Sequence, residues 1–253
     1  MKKSLLAVLL IALASPAVFG QFAPPIDTVY TENFDGTLGA DSIAANYNTD
    51  STNATRSWND TSYIKTTGNA SFHTQIYAND SIVFETDAFT TVTYTNVRLT
   101  FDQICKIRYI QKAFIQMSRD NGATWVNLTS THYQGGSPQF SSQGWFNELS
   151  YPSQLLTPYW YGPTIGNSNT GTGPTPTTAS DWWARETFDL SSYLGTYDNT
   201  NSQYGYANCK LRFIMSNKTG TPSPSALEGW FVDNIMVEGA PCELEPPTMD
   251  WVM

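Results

Sequence analysis

The chain has 253 residues, of which 40% are hydrophobic and 14% aromatic, enough apolar material for one substantial core. Charged residues make up only 14% and the formal net charge is −9, a balance that repels phosphate backbones and excludes nucleic acid as an expected partner. Stretches rich in Thr, Ser, Asn and Gly stand where charged residues would otherwise be, a composition that suits an extracellular all-β domain.

The N-terminus begins with Lys2 and Lys3, continues through an apolar run from Leu5 to Leu13, and ends in small residues up to Gly20. This is the layout of a secretory signal peptide over residues 1–20. The apolar run is shorter than the ~20 residues a membrane-crossing helix needs, and no later stretch approaches that length. Removing Lys2 and Lys3 with the leader leaves 11 basic against 22 acidic residues, a net charge of about −11. One domain is expected over residues 21–240, secreted or displayed at the cell surface.

Strand signals follow in chain order. Thr28–Phe34 and Ser81–Phe89 are short candidates. Val97, Leu99, Phe101, Cys105 and Ile107 then fall on one face of an extended segment, with Arg98, Thr100, Asp102, Lys106 and Arg108 on the other. That period of two marks a half-buried strand. Lys112–Arg119 and Thr124–Ser130 come next, joined by Asn121-Gly122, a dipeptide that forms tight hairpins because both residues tolerate positive φ. The joining stretch, SRDNGATW over Ser118–Trp125, has the Asp-box pattern Ser-x-Asp-x-Gly-x-Thr-Trp. Every residue of the pattern can serve the turn itself. Ser118 and Asp120 accept hydrogen bonds from turn amides, Gly122 turns the chain, and Trp125 covers the hairpin. The pattern occurs once, whereas a propeller needs repeated blades, so a staple is expected here rather than a glycosidase site.

From Tyr133 to Ala184 the periodicity fades over about 50 residues, yet the segment is dense in aromatics, including Trp145, Phe146 and Tyr151. An elaborated loop packed onto the domain is expected over residues 133–184. Sugars present C–H faces that stack on Trp and Tyr, which makes Tyr159, Trp160, Tyr161, Trp182 and Trp183 candidate ligand-binding residues. The competing reading is that these rings bury the loop against a sheet. Arg185–Leu190, Cys209–Met215 and Gly229–Glu238 complete the strand signals, and no amphipathic helical stripe of useful length appears. The expected fold is therefore all-β: an antiparallel two-sheet jelly-roll sandwich with one long aromatic-rich loop insertion. Residues 241–253, with Pro241, Pro246, Pro247 and then Trp251-Val252-Met253, read as a linker or the start of a following domain.

Three cysteines, Cys105, Cys209 and Cys242, allow one disulfide and a leftover thiol, or buried unpaired thiols; their spacing does not choose. In the strand GWFVDNIMVE, period two places Asp233 on one face with Phe231, Ile235 and Val237, where a carboxylate needs a cation or several hydrogen bonds. Glu32 and Asp35, within and just after the first strand signal, supply two more carboxylates. Hard oxygen ligands of this kind could hold one structural Ca²⁺, with a salt bridge or turn hydrogen bonds as the alternative. Two histidines, His73 and His132, form no HExxH motif, and neither a Gly-x-Ser-x-Gly elbow nor a tight strand cluster of carboxylates is present. No catalytic residue is expected.

TENFDG at residues 31–36, SRDNGATW at 118–125, WWARETFDLSSYLG at 182–195, CKLRFIMSN at 209–217 and EGWFVDNIMVEG at 228–239 occur in that order. The series resembles the Asp-box jelly-roll subrepeats of reelin and related MAM-like, concanavalin A-like modules. Such modules are found in secreted or surface proteins of gliding bacteria that use type IX secretion. The resemblance implies a non-catalytic binding or adhesion module, with a glycan or protein ligand and sometimes bound Ca²⁺, acting beside other domains of a longer protein. The alternatives are a carbohydrate-active enzyme or its substrate-binding appendage, and a structural spacer.

Overall fold

Alternating apolar rows condense into two antiparallel sheets whose inward faces share one core. The computed structural model describes residues 26–35, 44–48, 58–62, 64–74, 80–107, 110–151, 182–217 and 229–242. Residues 1–20, expected as a leader, the candidate ligand residues Tyr159, Trp160 and Tyr161, and the tail 243–253 lie outside the described residues. Among the described residues no helix is long and apolar enough to cross a membrane.

The first sheet contains β1 (Asp27–Glu32), β3 (Asn59–Thr61), β4 (Ser71–Thr74), β6 (Tyr94–Lys106), β9 (Ala184–Asp189) and β13 (Gly229–Pro241). Its order is β3-β4-β13-β6-β9, with β1 pairing β13 beyond β4. The second sheet contains β2 (Ala44–Asn48), β5 (Asp80–Glu85), β7 (Lys112–Ser118), β8 (Val126–Asn127) and β12 (Lys210–Asn217), in the order β2-β5-β12-β7-β8. A small hairpin, β10 (Tyr197–Asp198) with β11 (Gln203–Tyr204), stands apart. Two short helices, α1 (Pro138–Gln143) and α2 (Ser191–Leu194), lie in the connections. The expected jelly-roll sandwich is present, and its long central strands coincide with the strongest period-two signals.

Aromatic side chains join the sheets. Phe213 of β12 stacks on Phe84 of β5 at 4.6 Å, meets Phe101 of β6 edge-on at 5.3 Å, and tilts against Trp230 of β13 at 5.7 Å. Phe84 also contacts Phe72 and Trp58 edge-on, at 5.1 and 4.6 Å. These geometries add to the burial term because ring edges are positive and faces negative.

The loop expected over residues 133–184 falls within the described residues as far as Tyr151 and again from Trp182. His132 and Gln134 bond backbone to backbone with Asp189 and Thr187 on the free edge of β9, while Phe146 pairs with Ala113 on the edge of β7. The segment thus bridges the two sheets along one open side. Phe140 and Phe146 are fully buried and pack on Phe188 and Tyr133. Ser137 caps α1 by accepting from the Phe140 amide at 3.2 Å, and Pro138 occupies a first-turn position. Gly144, at φ 78°, ends the helix in the left-handed conformation.

Cys105, Cys209 and Cys242 are all free thiols, so the unpaired alternative holds. Burial pushes the Cys105 and Cys209 thiols up. A thiol-titration assay is expected to find three reactive groups after denaturation, but in the native protein only the less buried Cys242.

Candidate functional site

The segment Ser118–Trp125 forms the expected tight hairpin. The Ala123 amide donates to the Asp120 carbonyl at 3.2 Å, with Asn121 at φ 58° and Gly122 at φ 87°, both on the left-handed side. Ser118 Oγ accepts from the Gly122 amide at 2.8 Å and donates to Asp120 Oδ1 at 2.7 Å. Asp120 also accepts from the Thr124 amide and hydroxyl, bonds that hold its carboxyl low, at about 2. Trp125 packs over Gly122 on one side and carries the Arg212 guanidinium 4.2 Å from its ring. The Ser118 hydroxyl and the Asp120 carboxylate are thus both directed at the turn itself.

The three carboxylates proposed for a metal are held differently. Asp233 stands opposite Asp102 on β6 and Val237 opposite Leu99, with a bulge between them where Asn234 takes φ 50°. The extra residue switches the alternation, so Asp233 lies on the opposite face from Val237, not on the same face as period two predicts. Asp233 is fully buried, and accepts from Thr66 N at 2.9 Å, Thr66 Oγ1 at 2.8 Å and Asn234 N at 2.8 Å. Burial pushes its carboxyl up, against the opposing effect of these bonds. Glu32 stands opposite Ile235 and accepts from the Phe34 amide at 2.8 Å. Asp35 accepts from the Asn69 and Ala70 amides, an approach that a side chain at Gly68 (φ 64°) would block. Residues 64–70 are therefore clamped between Asp35 and Asp233. Among the described residues no three His, Cys, Asp or Glu side chains gather as a metal ligand set.

Trp182 and Trp183 are 3% and 8% exposed, so their faces are packed rather than presented to a ligand. Lys106 lies over the Trp182 ring at 5.6 Å. The fully buried Glu186, not among the residues singled out in the sequence, accepts from Gln103 Nε2 at 2.7 Å, Tyr133 OH at 2.6 Å and Tyr151 OH. Gln103 Oε1 in turn accepts from Trp230 Nε1 at 2.7 Å. Burial pushes the Glu186 carboxyl up to about 7, which is where a general acid would be placed, but it is sealed from solvent. It ties the bridging segment to β6 and β13.

Among the described residues, one open feature lies elsewhere, on the outward face of the second sheet. A groove of about 360 Å³ runs between β7, the residues from Asn127 to Ser130, and the end of α1. Its aromatic walls follow from strand and cap geometry. Ala113 and Ile115 point inward and are fully buried, so Lys112 and Phe114 of the same strand face out. Phe146 is drawn into the core, while Trp145 beside it lines the groove. Gln143 and Asn127 add amides, and Thr129, Ser130 and Ser142 add hydroxyls. Gln116 Nε2 donates to Asn127 Oδ1 at 2.6 Å, and Arg212 Nε donates to Gln116 Oε1, which orients the row beside the groove. Lys112 Nζ sits 3.7 Å from the Trp145 ring centroid, an attraction of roughly 0.5–1 kcal/mol at an exposed site. Aromatic walls between amides and hydroxyls can stack a sugar ring and fix its orientation by hydrogen bonds.

No known family profile matches the chain, the reelin and MAM-like resemblance included, and no curated protein matches it. Among solved structures it is similar to the CBM22-1 xylan-binding domain from Paenibacillus barcinonensis Xyn10C. Identity there is 9% and the TM-score 0.38, over 87% of this chain and 99% of that one. It is also similar to the K2 cleaved adhesin domain of Lys-gingipain, at 11% identity and a TM-score of 0.44, over 83% of this chain and 98% of that one. A third is TmCBM27, a carbohydrate-binding module with specific mannan recognition, at 8% identity and a TM-score of 0.39, over 85% and 98%. Likenesses at this level assign no function to the chain.

Proposed function

We propose that this chain is a non-catalytic extracellular binding module that holds a saccharide in the groove between β7, β8 and the end of α1. The observation that carries this reading is the lining itself: Trp145 and Phe114 stand among the amides of Asn127 and Gln143 and the hydroxyls of neighbouring residues. The volume of about 360 Å³ suits one or two sugar rings, at the lower end of ordinary ligand clefts. Among the described residues no carboxylate lines the groove, whereas glycoside hydrolysis ordinarily uses two flanking the scissile bond. The leader layout of residues 1–20 supports export to a secreted or cell-surface location, where adhesion to glycans would be the biological use.

Trp145→Ala tests the reading. Screened on an array of plant, algal and animal glycans, the protein is expected to bind at least one class. The variant is expected to lose tenfold or more in affinity, ~1.4 kcal/mol or more, for that glycan. Its melting temperature should change little, because Trp145 is half-buried at the groove rather than in the core. Unchanged affinity in the variant would move the site away from the groove.

A further inference from the structure

We infer that the saccharide is anionic, bearing a carboxylate or a sulfate that Lys112 receives; this rests on the groove being the saccharide site. Among the described residues Lys112 is the one charged side chain in the groove lining. No salt bridge engages it among the described residues, and its exposed side chain lays the ammonium over the Trp145 ring. A sugar that stacks on that ring face must displace the ammonium. A neutral sugar offers the displaced ammonium only hydroxyl and ring oxygens, whereas an anionic sugar gives it a charged acceptor and a stronger, charge-assisted bond at the place to which it moves.

The outward face of the same sheet carries the same sign further along its strands. Lys210 and Arg212 occupy the outward row of β12, where Arg212 stands opposite Gln116 of β7. Glu85 of β5 stands opposite Arg212 and lies 4.0 Å from Lys210, the one carboxylate among the described outward side chains of β5, β7 and β12. Three cations against one carboxylate is the reverse of the chain as a whole, whose net charge is −9. A positive face on an acidic protein attracts anionic ligands selectively while the remaining surface repels them.

A glycan array carrying uronate-bearing, sulfated and neutral oligosaccharides tests this, probed with the wild-type protein and Lys112→Met. Runs at about 50 and about 500 mM salt shorten the screening length several-fold between them. The expected result is binding to uronate or sulfated glycans about tenfold tighter than to neutral ones of the same backbone. That preference should shrink at high salt and be lost in Lys112→Met, and the uronate and sulfate arms identify which anion is read. Equal binding to neutral glycans, or a preference unchanged by Lys112→Met, overturns the inference while leaving the saccharide site standing. Binding to no glycan on the array overturns both.

Discussion

Glu186→Ala is expected to destabilise the protein by about 3–5 kcal/mol, because it strands the Tyr133 and Tyr151 hydroxyls and the Gln103 amide without their acceptor inside the core. The same residue sets a pH dependence of known sign. The carboxyl ionises near 4.5 in the unfolded chain, and burial raises it to about 7 in the folded one. Between those values the folded state holds a proton that the unfolded state has released. This contribution is therefore fully present below about pH 4.5 and is lost as pH rises through about 7, a change of about 3 kcal/mol. The neighbouring Cys105 thiol and Tyr133 hydroxyl are pushed up by burial and by the Glu186 charge, so neither ionises within that window. Urea titrations at several pH values check the result: Glu186→Gln should abolish this slope, and a slope retained in that variant would place its origin in another group.

Phe213→Ala should cost about 3–5 kcal/mol, by loss of transfer energy and by the cavity left between the sheets. Phe213 is fully buried and touches Phe84 within its own sheet and Phe101 and Trp230 across the core. Tyr197→Ala is the matched control. Tyr197 is 45% exposed on the separate hairpin, and its removal should change stability by no more than about 0.5 kcal/mol. Denaturant midpoints measure both. A small loss for Phe213→Ala would contradict its position as the join between the two sheets.

The sheets are legible in the sequence where local pattern and tertiary role agree. Lys112–Arg119, Cys209–Met215 and the Asn121-Gly122 turn declare themselves because alternation and turn chemistry need no distant partner. The segments 44–48, 59–61 and 71–74 are short and pair through register with β5, β4 and β13 respectively, which no local periodicity announces. Period two misplaces Asp233 because Asn234 inserts one residue; an Asn inside an apolar strand, tolerant of positive φ, is the available signal. Gln103 and Glu186 each interrupt an inward apolar row, and their hydrogen bond is visible only once β6 and β9 are paired. The groove shows the same limit. Trp145 stands out in the sequence as an aromatic in a loop, but its meeting with Phe114 and Lys112 depends on α1 ending at Gly144 beside the edge of β7.

Occupation of the groove beside β7 by a saccharide is tested most directly by amide chemical-shift mapping, on isotopically labelled full-length protein titrated with a glycan that binds it on the array. The largest shifts are predicted to fall on Lys112, Phe114, Asn127 to Ser130 and Ser142 to Trp145, with saturation at one affinity. Shifts centred instead on the exposed pair Tyr197 and Tyr204, whose rings meet edge-on at 5.3 Å, would contradict a saccharide site in the groove.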